Sequence, residues 1–329
     1  MDCKTRAGAT KRPGRLNLLF LGGAKRVGMA RLFVKAGAER GLEVSVFGYE
    51  LDRCVPLALV GEVVEGLRWS DPGLFDHLHE VVGRHEIDII VPFVDPAVEI
   101  AAAYAARYGD VYAAAGGAAL ARVMFDKVEA DRLFRRLGID VPPGVHDGAC
   151  FPLIAKPRNG SASRGIVVLR DAGELAALES PGDYLIQQYV EGATEYSVDC
   201  FVDAAGRMCG AVPRRRVEVI GGEVSVSRTE RIQALTDIVG DIVAKTGLRG
   251  PLTLQFLREP ASGRFLLMEI NPRLGGGAVC SVHAGLPLPG WIIDEALGMV
   301  CTPVDNWVDG AMMTRCFEEA VFAPGGEML

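Results

Sequence analysis

From residue 16 onward, short apolar runs alternate with amphipathic stretches, and glycines mark most of the junctions. Residues 16–21 read as a buried strand, Gly22-Gly23 as a turn, and 24–40 as a helix stopped by Gly41. Residues 44–47, 87–91 and 111–114 read as further strands, with helices at 74–84 and 96–107 between them. Strands that alternate with helices predict a parallel, Rossmann-like sheet, so the chain is α/β in class. Further on, Ala130, Leu133, Phe134 and Leu137 follow helical spacing, with Asp126 placed to cap the start and Gly138 to stop the run. Residues 196–202 and 208–213 read as paired strands about a turn at 203–206, and 217–219 as a strand before Gly221-Gly222. A stripe from Leu235 to Thr246 predicts a packing helix, and 291–297 a closing one.

The chemistry concentrates in residues 250–277. Alternating Leu252-Thr253-Leu254-Gln255-Phe256, a turn at 259–263 and an apolar run at 265–270 predict a β-hairpin. A turn centred near Ser262 puts Gln255 opposite Glu269, and Asn271 on the same face as Glu269. Three oxygen-bearing side chains then converge, a set suited to Mg²⁺, which takes few protein ligands and completes its octahedron with phosphates and water. Arg273 follows a rigid Pro272 and stands ready to neutralise charge beside that metal. Gly275-Gly276-Gly277 lets backbone approach a bound group. Taken singly, each feature also fits a buried strand that ends in a Pro/Gly loop; the ordered set points to a metal site.

Residues 151–170 hold two strand-like runs around Lys156-Pro157 and a loop containing Gly160, Ser161, Ser163, Arg164 and Gly165. A loop of small residues can fold over phosphates, with Lys156 as a point charge on them, although an ordinary hairpin turn has the same composition. No G-K-[ST] opens a following helix, so this is not a Walker A loop. Gly22-Gly23-Ala24-Lys25-Arg26-Val27-Gly28 lacks the full dinucleotide fingerprint, so an NAD site is weakly supported. Glu50, Asp52, Asp95 and Glu99 fall on the rim where open sheets bind ligands, and each also fits a helix-capping role. Arg214-Arg215-Arg216 is either solvated surface or an anion contact.

Gln255, the fourteen-residue step to Glu269, and Asn271-Pro272-Arg273 resemble the metal-binding signature of ATP-grasp ligases, most of all the synthetase domain of carbamoyl-phosphate synthase large chains. The resemblance extends over most of residues 16–298 and implies a Rossmann-like domain (16–117) before a two-lobed α+β domain, with a lid lobe at 118–190 and a metal-bearing lobe at 191–329. It implies ATP with Mg²⁺, or Mn²⁺ in its place. Lys127, after Asp126, takes the role of a base on the triphosphate. Gln188, Tyr189 and Val190 match the adenine-binding linker, with a carboxamide at Gln188 where many relatives have an acid, and Glu195 matches the ribose position. Pro213-Arg214-Arg215-Arg216 followed by Gly222-Glu223 matches a pattern of the relatives, which makes Arg214 or Arg216 the holder of the substrate carboxylate or its phosphate. The implied reaction activates a small carboxylate as an acyl phosphate for attack by an amine. Bicarbonate activation, as in carbamoyl-phosphate synthesis, is the alternative; ATP binding without turnover, in a regulatory protein, is a third reading. The resemblance also implies a homodimer.

Composition narrows the setting. The net charge of −7 argues against broad nucleic-acid binding. No apolar run approaches the roughly 20 residues of a membrane span, and no membrane partner is expected. The eight cysteines are scattered without C-x-x-C pairs, as in a reduced, cytoplasmic protein. His77, His79 and His85 fall on a surface helix and read as surface residues rather than as a metal site. His283 reads as structural. Residues 1–15 are basic and aperiodic, the pattern of a disordered tail, and the sequence after Trp307 shows no clear role.

Overall fold

The computed structural model describes residues 13–145, 148, 150–160 and 164–329. The expected basic tail falls outside the described residues up to residue 12, as do Ser161 and Ser163. Arg15 is not tail: it begins the first strand and pairs with Glu43 at 2.9 Å.

The N-terminal part alternates β1 (Arg15–Leu21), α1 (Val27–Ala38), β2 (Glu43–Glu50), β3 (Glu62–Glu65), α2 (Leu74–Arg84), β4 (Ile89–Pro92), α3 (Asp95–Tyr108) and β5 (Tyr112–Ala113). These strands form a parallel sheet in the order β3-β2-β1-β4-β5, as the alternation predicted. Two details differ from the sequence reading. Helix α1 starts three residues late, because the Arg26 amide turns back to the Gly23 carbonyl at 2.8 Å. That leaves Arg26 at a strand-to-helix turn, on the edge where open sheets bind ligands. Strand β3 was not anticipated; its run of four residues is too short and too acidic to stand out. On α2 the histidines diverge: His77 meets the Tyr49 hydroxyl at 2.9 Å, His79 the Tyr104 hydroxyl at 2.8 Å, and His85 packs on Phe47.

Helices α4 (Ala118–Phe125) and α5 (Lys127–Arg136) lead into a three-stranded antiparallel sheet, β7-β6-β8. It comprises β6 (Leu153–Pro157), β7 (Val167–Leu169) and β8 (Tyr184–Gln188), with the short helix α6 (Ala172–Ala176) between the last two. Asp126 caps α5 as expected, accepting from the amides of Val128 and Glu129 at 3.1 Å each. The remainder builds a six-stranded antiparallel sheet, β13-β12-β9-β10-β11-β14. Its elements run in chain order as β9 (Thr194–Val202), β10 (Met208–Ile220), β11 (Glu223–Thr229), α7 (Gln233–Thr246), β12 (Gly250–Arg258), β13 (Phe265–Asn271), α8 (Ala278–His283), α9 (Leu288–Ala296) and β14 (Met312–Thr314).

The first and last sheets do not keep separate cores. Phe20, Phe33 and Phe93 share one apolar cluster with Phe201, Leu274, Trp291 and Trp307. Helix α1 is packed between its own sheet and α9. Arg40 fastens the same junction, with Nε and Nη2 on the two carboxylate oxygens of Asp294 at 2.6 and 2.7 Å. Gly290 leaves the room for that guanidinium, since a Cβ there would lie 2.5 Å from Arg40 Nη2.

Glu50 ends β2 with one buried carboxylate oxygen lacking a partner among the described residues. Burial pushes its pKa up to about 7, against the opposing pull of the Ala24 and Gly23 amides. An acid whose pKa rises on folding binds more protons in the folded state, so its contribution to stability falls as pH climbs from about 4.5 to about 7. Glu50→Gln should therefore raise Tm relative to wild type more at pH 8 than at pH 5; a pH-independent difference would contradict this origin.

Candidate active site

The six-stranded sheet forms the floor of the cleft. Gln255 on β12 lies directly opposite Glu269 on β13, the register expected from the turn position. Asn271 Nδ2 donates to Glu269 Oε1 at 2.9 Å, and Asn271 Oδ1 accepts from Arg273 Nη2 at 3.1 Å. Arg273 Nε in turn donates to Asp95 Oδ1, 2.9 Å away in the first turn of α3. A line of polar contacts thus runs from the floor to the parallel sheet. One carboxylate and two carboxamides form an oxygen donor set that fits a hard divalent cation. Among the described residues no cluster of three or more His, Cys, Asp or Glu offers a competing metal site.

Lys156 comes from β6 of the three-stranded sheet and is buried against Gln187, with Nζ donating to Oε1 at 3.1 Å. Gln187 Nε2 donates to Asp131 Oδ1 at 2.8 Å, and Arg135 Nε to Asp131 Oδ2 at 2.6 Å, so α5 positions the lysine through a buried relay. Burial lowers the pKa of Lys156 and the charge of Lys127 adds to that, while Glu269 across the cleft opposes both. Lys127 Nζ donates to the Gly160 carbonyl at 2.7 Å. Gly160 holds φ at +141°, a conformation open to glycine, and no Cβ could be added there without backbone strain.

Arg214 and Arg216 are two apart on β10 and share a face, whereas Arg215 points to solvent. Arg214 is buried, with Nε 2.7 Å from Asp199 Oδ2 and 3.1 Å from Ser281 Oγ, and Nη1 2.9 Å from Ser227 Oγ. Asp199 also accepts from Thr253 Oγ1 at 2.8 Å and from Ser281 Oγ at 2.6 Å. Thr253 Oγ1 receives the Gly275 amide at 3.0 Å, which fixes the triple-glycine loop to the floor. Arg216 Nε donates to Glu195 Oε2 at 2.9 Å.

The cleft encloses about 400 Å³. Among the expected residues, Gln255, Glu269, Asn271, Arg273, Arg214 and Arg216 line it from the floor. Lys127 lines it from α5, Lys156 from β6, Gly160 from the loop after β6, and Glu195 from β9 of the floor sheet. Gly165, Gln188, Tyr189 and Val190 do not line it. The Gln188 carboxamide turns away, accepting from the Cys150 amide at 2.7 Å and donating to the Pro152 carbonyl at 3.2 Å. Its neighbour Gln187 takes the place beside Lys156, as strand alternation requires. Of the rim acids only Asp95 lines the cleft; Glu99 pairs with Arg122, and Asp52 receives the Cys54 amide. His283 is exposed.

Arg26, Glu223 and Arg315 also line the cleft, without having been anticipated as functional residues. Arg26 had a usable signal, the strand-to-helix turn after Gly22-Gly23. Arg315 had none: it arrives because β14 pairs with β11 at the sheet edge, a long-range contact. Removing one partner of the buried Asp199–Arg214 pair strands the other charge. Asp199→Ala should therefore lower unfolding free energy by about 3–5 kcal/mol in urea titrations; a loss below about 1 kcal/mol would contradict a central place for this carboxylate.

A family model described as "ATP-grasp in the biosynthetic pathway with Ter operon" matches residues 180–316. The carbamoyl phosphate synthase large chain of Bifidobacterium adolescentis is 26% identical over an alignment of 174 residues that covers 47% of this chain and 16% of that protein. Among solved structures, the biotin carboxylase domain of Hydrogenobacter thermophilus 2-oxoglutarate carboxylase, in complex with MgADP, ADP and bicarbonate, superposes with a TM-score of 0.71 at 16% identity, covering 90% of this chain and 73% of that one. The L-amino acid ligase of Bacillus licheniformis gives 0.65 at 17% identity, covering 86% and 74%. Motif order and these likenesses agree: the chain has the fold of these ATP-grasp neighbours, its residues 180–316 resemble an ATP-grasp family, and about half of it resembles a small part of carbamoyl phosphate synthase large chains.

Proposed function

We propose that this protein is an ADP-forming carboxylate–amine ligase. The observation that carries the reading is the convergence of a Glu269–Asn271–Gln255 oxygen set and two lid-side lysines on one cleft, with Arg273 bonded to Asn271. Glu269, Asn271 and Gln255 would hold Mg²⁺, with Mn²⁺ as an alternative ion; when bound it supplies charge to the phosphates of ATP. Lys127 and Lys156 bind phosphate oxygens from the lid side, and Glu195 holds the ribose. Gly160 stands beside the phosphates; Gly165 and the linker Gln188, Tyr189 and Val190 lie off the cleft wall, and no contact with the nucleotide is assigned to them.

Arg273 and either Arg214 or Arg216 orient the acid. Its carboxylate oxygen attacks the γ-phosphorus, the bond to the ADP oxygen breaks, and an acyl phosphate forms. The amine then attacks the carbonyl carbon, the C–O bond to phosphate breaks, and the amine proton leaves to solvent. Positioning and charge neutralisation are what phosphoryl transfer needs from a protein, and these residues provide both. In this reading both substrates are small molecules, with no nucleic acid or membrane partner. The protein acts in the cytoplasm, in keeping with the free cysteines among the described residues, and assembles as a homodimer.

A second reading, bicarbonate activation, is favoured by the likeness to carbamoyl phosphate synthase large chains. ADP release with Mg²⁺-ATP and hydroxylamine across amino acids, hydroxy acids and bicarbonate separates the two. Hydroxamate formed from one organic acid supports the ligase; ADP with bicarbonate alone supports the alternative. Tight ATP binding without turnover on any acid would point to a regulatory protein. Glu269→Ala should abolish ADP release in the supporting assay, and an active variant would overturn the site.

A further inference from the structure

Three arginines of the cleft are each matched with one carboxylate. Arg214 has Asp199 at 2.7 Å, Arg216 has Glu195 at 2.9 Å, and Arg273 has Asp95 at 2.9 Å. Arg26 and Arg315 are different: they share a single carboxylate, Glu223, at 3.4 and 3.5 Å. The remaining contacts of Arg315 go to neutral carbonyls, those of Val224 at 2.7 Å and Gly276 at 2.8 Å. Both guanidinium groups close on one spot. A Cβ on Gly276 would lie 2.9 Å from Arg26 Nη1 and 3.0 Å from Arg315 Nη2. Burial lowers the proton affinity of Arg26, and the charges of Arg273 and Arg315 lower it further against the pull of Glu223.

The Arg26 side chain is 16% exposed whereas Arg315 and Glu223 are open to solvent, so the group carries a surplus positive charge whose buried part an anion would compensate. The spot lies over the glycine loop, with Arg26 brought by the turn after β1 of the parallel sheet and Arg315 by the C-terminal segment. We infer that Arg26 and Arg315 bind a second anionic group on the acid substrate, so that the acid is a dianion bearing a carboxylate or phosphate besides the carboxylate that is activated. This deepens the ligase reading and rests on it for the reacting carboxylate. The two guanidinium forks would give charge-assisted, bidentate bonds to that second group, and these discriminate strongly against a neutral replacement.

The test compares matched acids: succinate with succinamate, glutamate with glutamine, and 3-phosphoglycerate with glycerate. Wild-type protein should show kcat/KM at least about tenfold higher for the dianionic member of the preferred pair, expressed mainly in KM. Arg26→Met should bring that ratio below about threefold. The preferred pair tells carboxylate from phosphate. Equal kcat/KM within every pair, or an unchanged ratio in Arg26→Met, would overturn the inference. A binding arm needs no turnover: the thermal shift of wild type and Arg26→Met with each acid, without ATP. A shift from a dianion that its neutral partner and the variant both lack supports the second-anion site even if no acid releases ADP, in which case only the ligase reading fails. Identical shifts for both members of every pair, or no shift with any acid, would sink it independently of activity.

Discussion

The cleft is organised around one buried carboxylate. Asp199 sits in the middle of β9 with both oxygens used: Arg214 from β10, Thr253 from β12 and Ser281 from α8 all donate to it. Its charge is affordable in the interior because a guanidinium and two hydroxyls satisfy it. In return it locks three strands, a helix and, through Thr253, the glycine loop into one geometry. The side chains that face the cleft are set relative to that anchor. Arg214 is held by it, Gln255 stands one alternation along β12 from Thr253, and Asn271 lies opposite Thr253 on β13.

A second constraint comes from the parallel sheet, which shares its core with α9 and contributes two charged groups to the cleft. Asp95, at the start of α3, holds Arg273, and Arg273 holds Asn271. The orientation of Asn271 therefore depends on a contact between segments 178 residues apart in sequence. Arg26 enters from the same side. The six-stranded floor alone would keep its hairpin register and lose both of these charges.

Much of this was legible in the sequence because it is local. The Gln255–Glu269 register follows from turn position and period-two alternation, and the α5 cap from Asp126 and the helical spacing behind it. What the sequence concealed is long-range. Arg315 reaches the cleft only because three residues of the C-terminal segment extend a sheet edge, and nothing near Arg315 signals that pairing. Gln187 and Gln188 are chemically identical, so only the face that each occupies on β8 decides which one meets Lys156. Asp199 reads in sequence as one polar residue in an apolar strand; its partners lie 15, 54 and 82 residues away.

In the proposed reaction this cleft makes an acyl phosphate. The most direct measurement supplies the acid that supports ADP release with ¹⁸O in its carboxylate and analyses the inorganic phosphate formed. Transfer of one labelled oxygen to each phosphate is the predicted result, since the carboxylate oxygen that attacks phosphorus leaves with it. Unlabelled phosphate accompanying product would contradict the account.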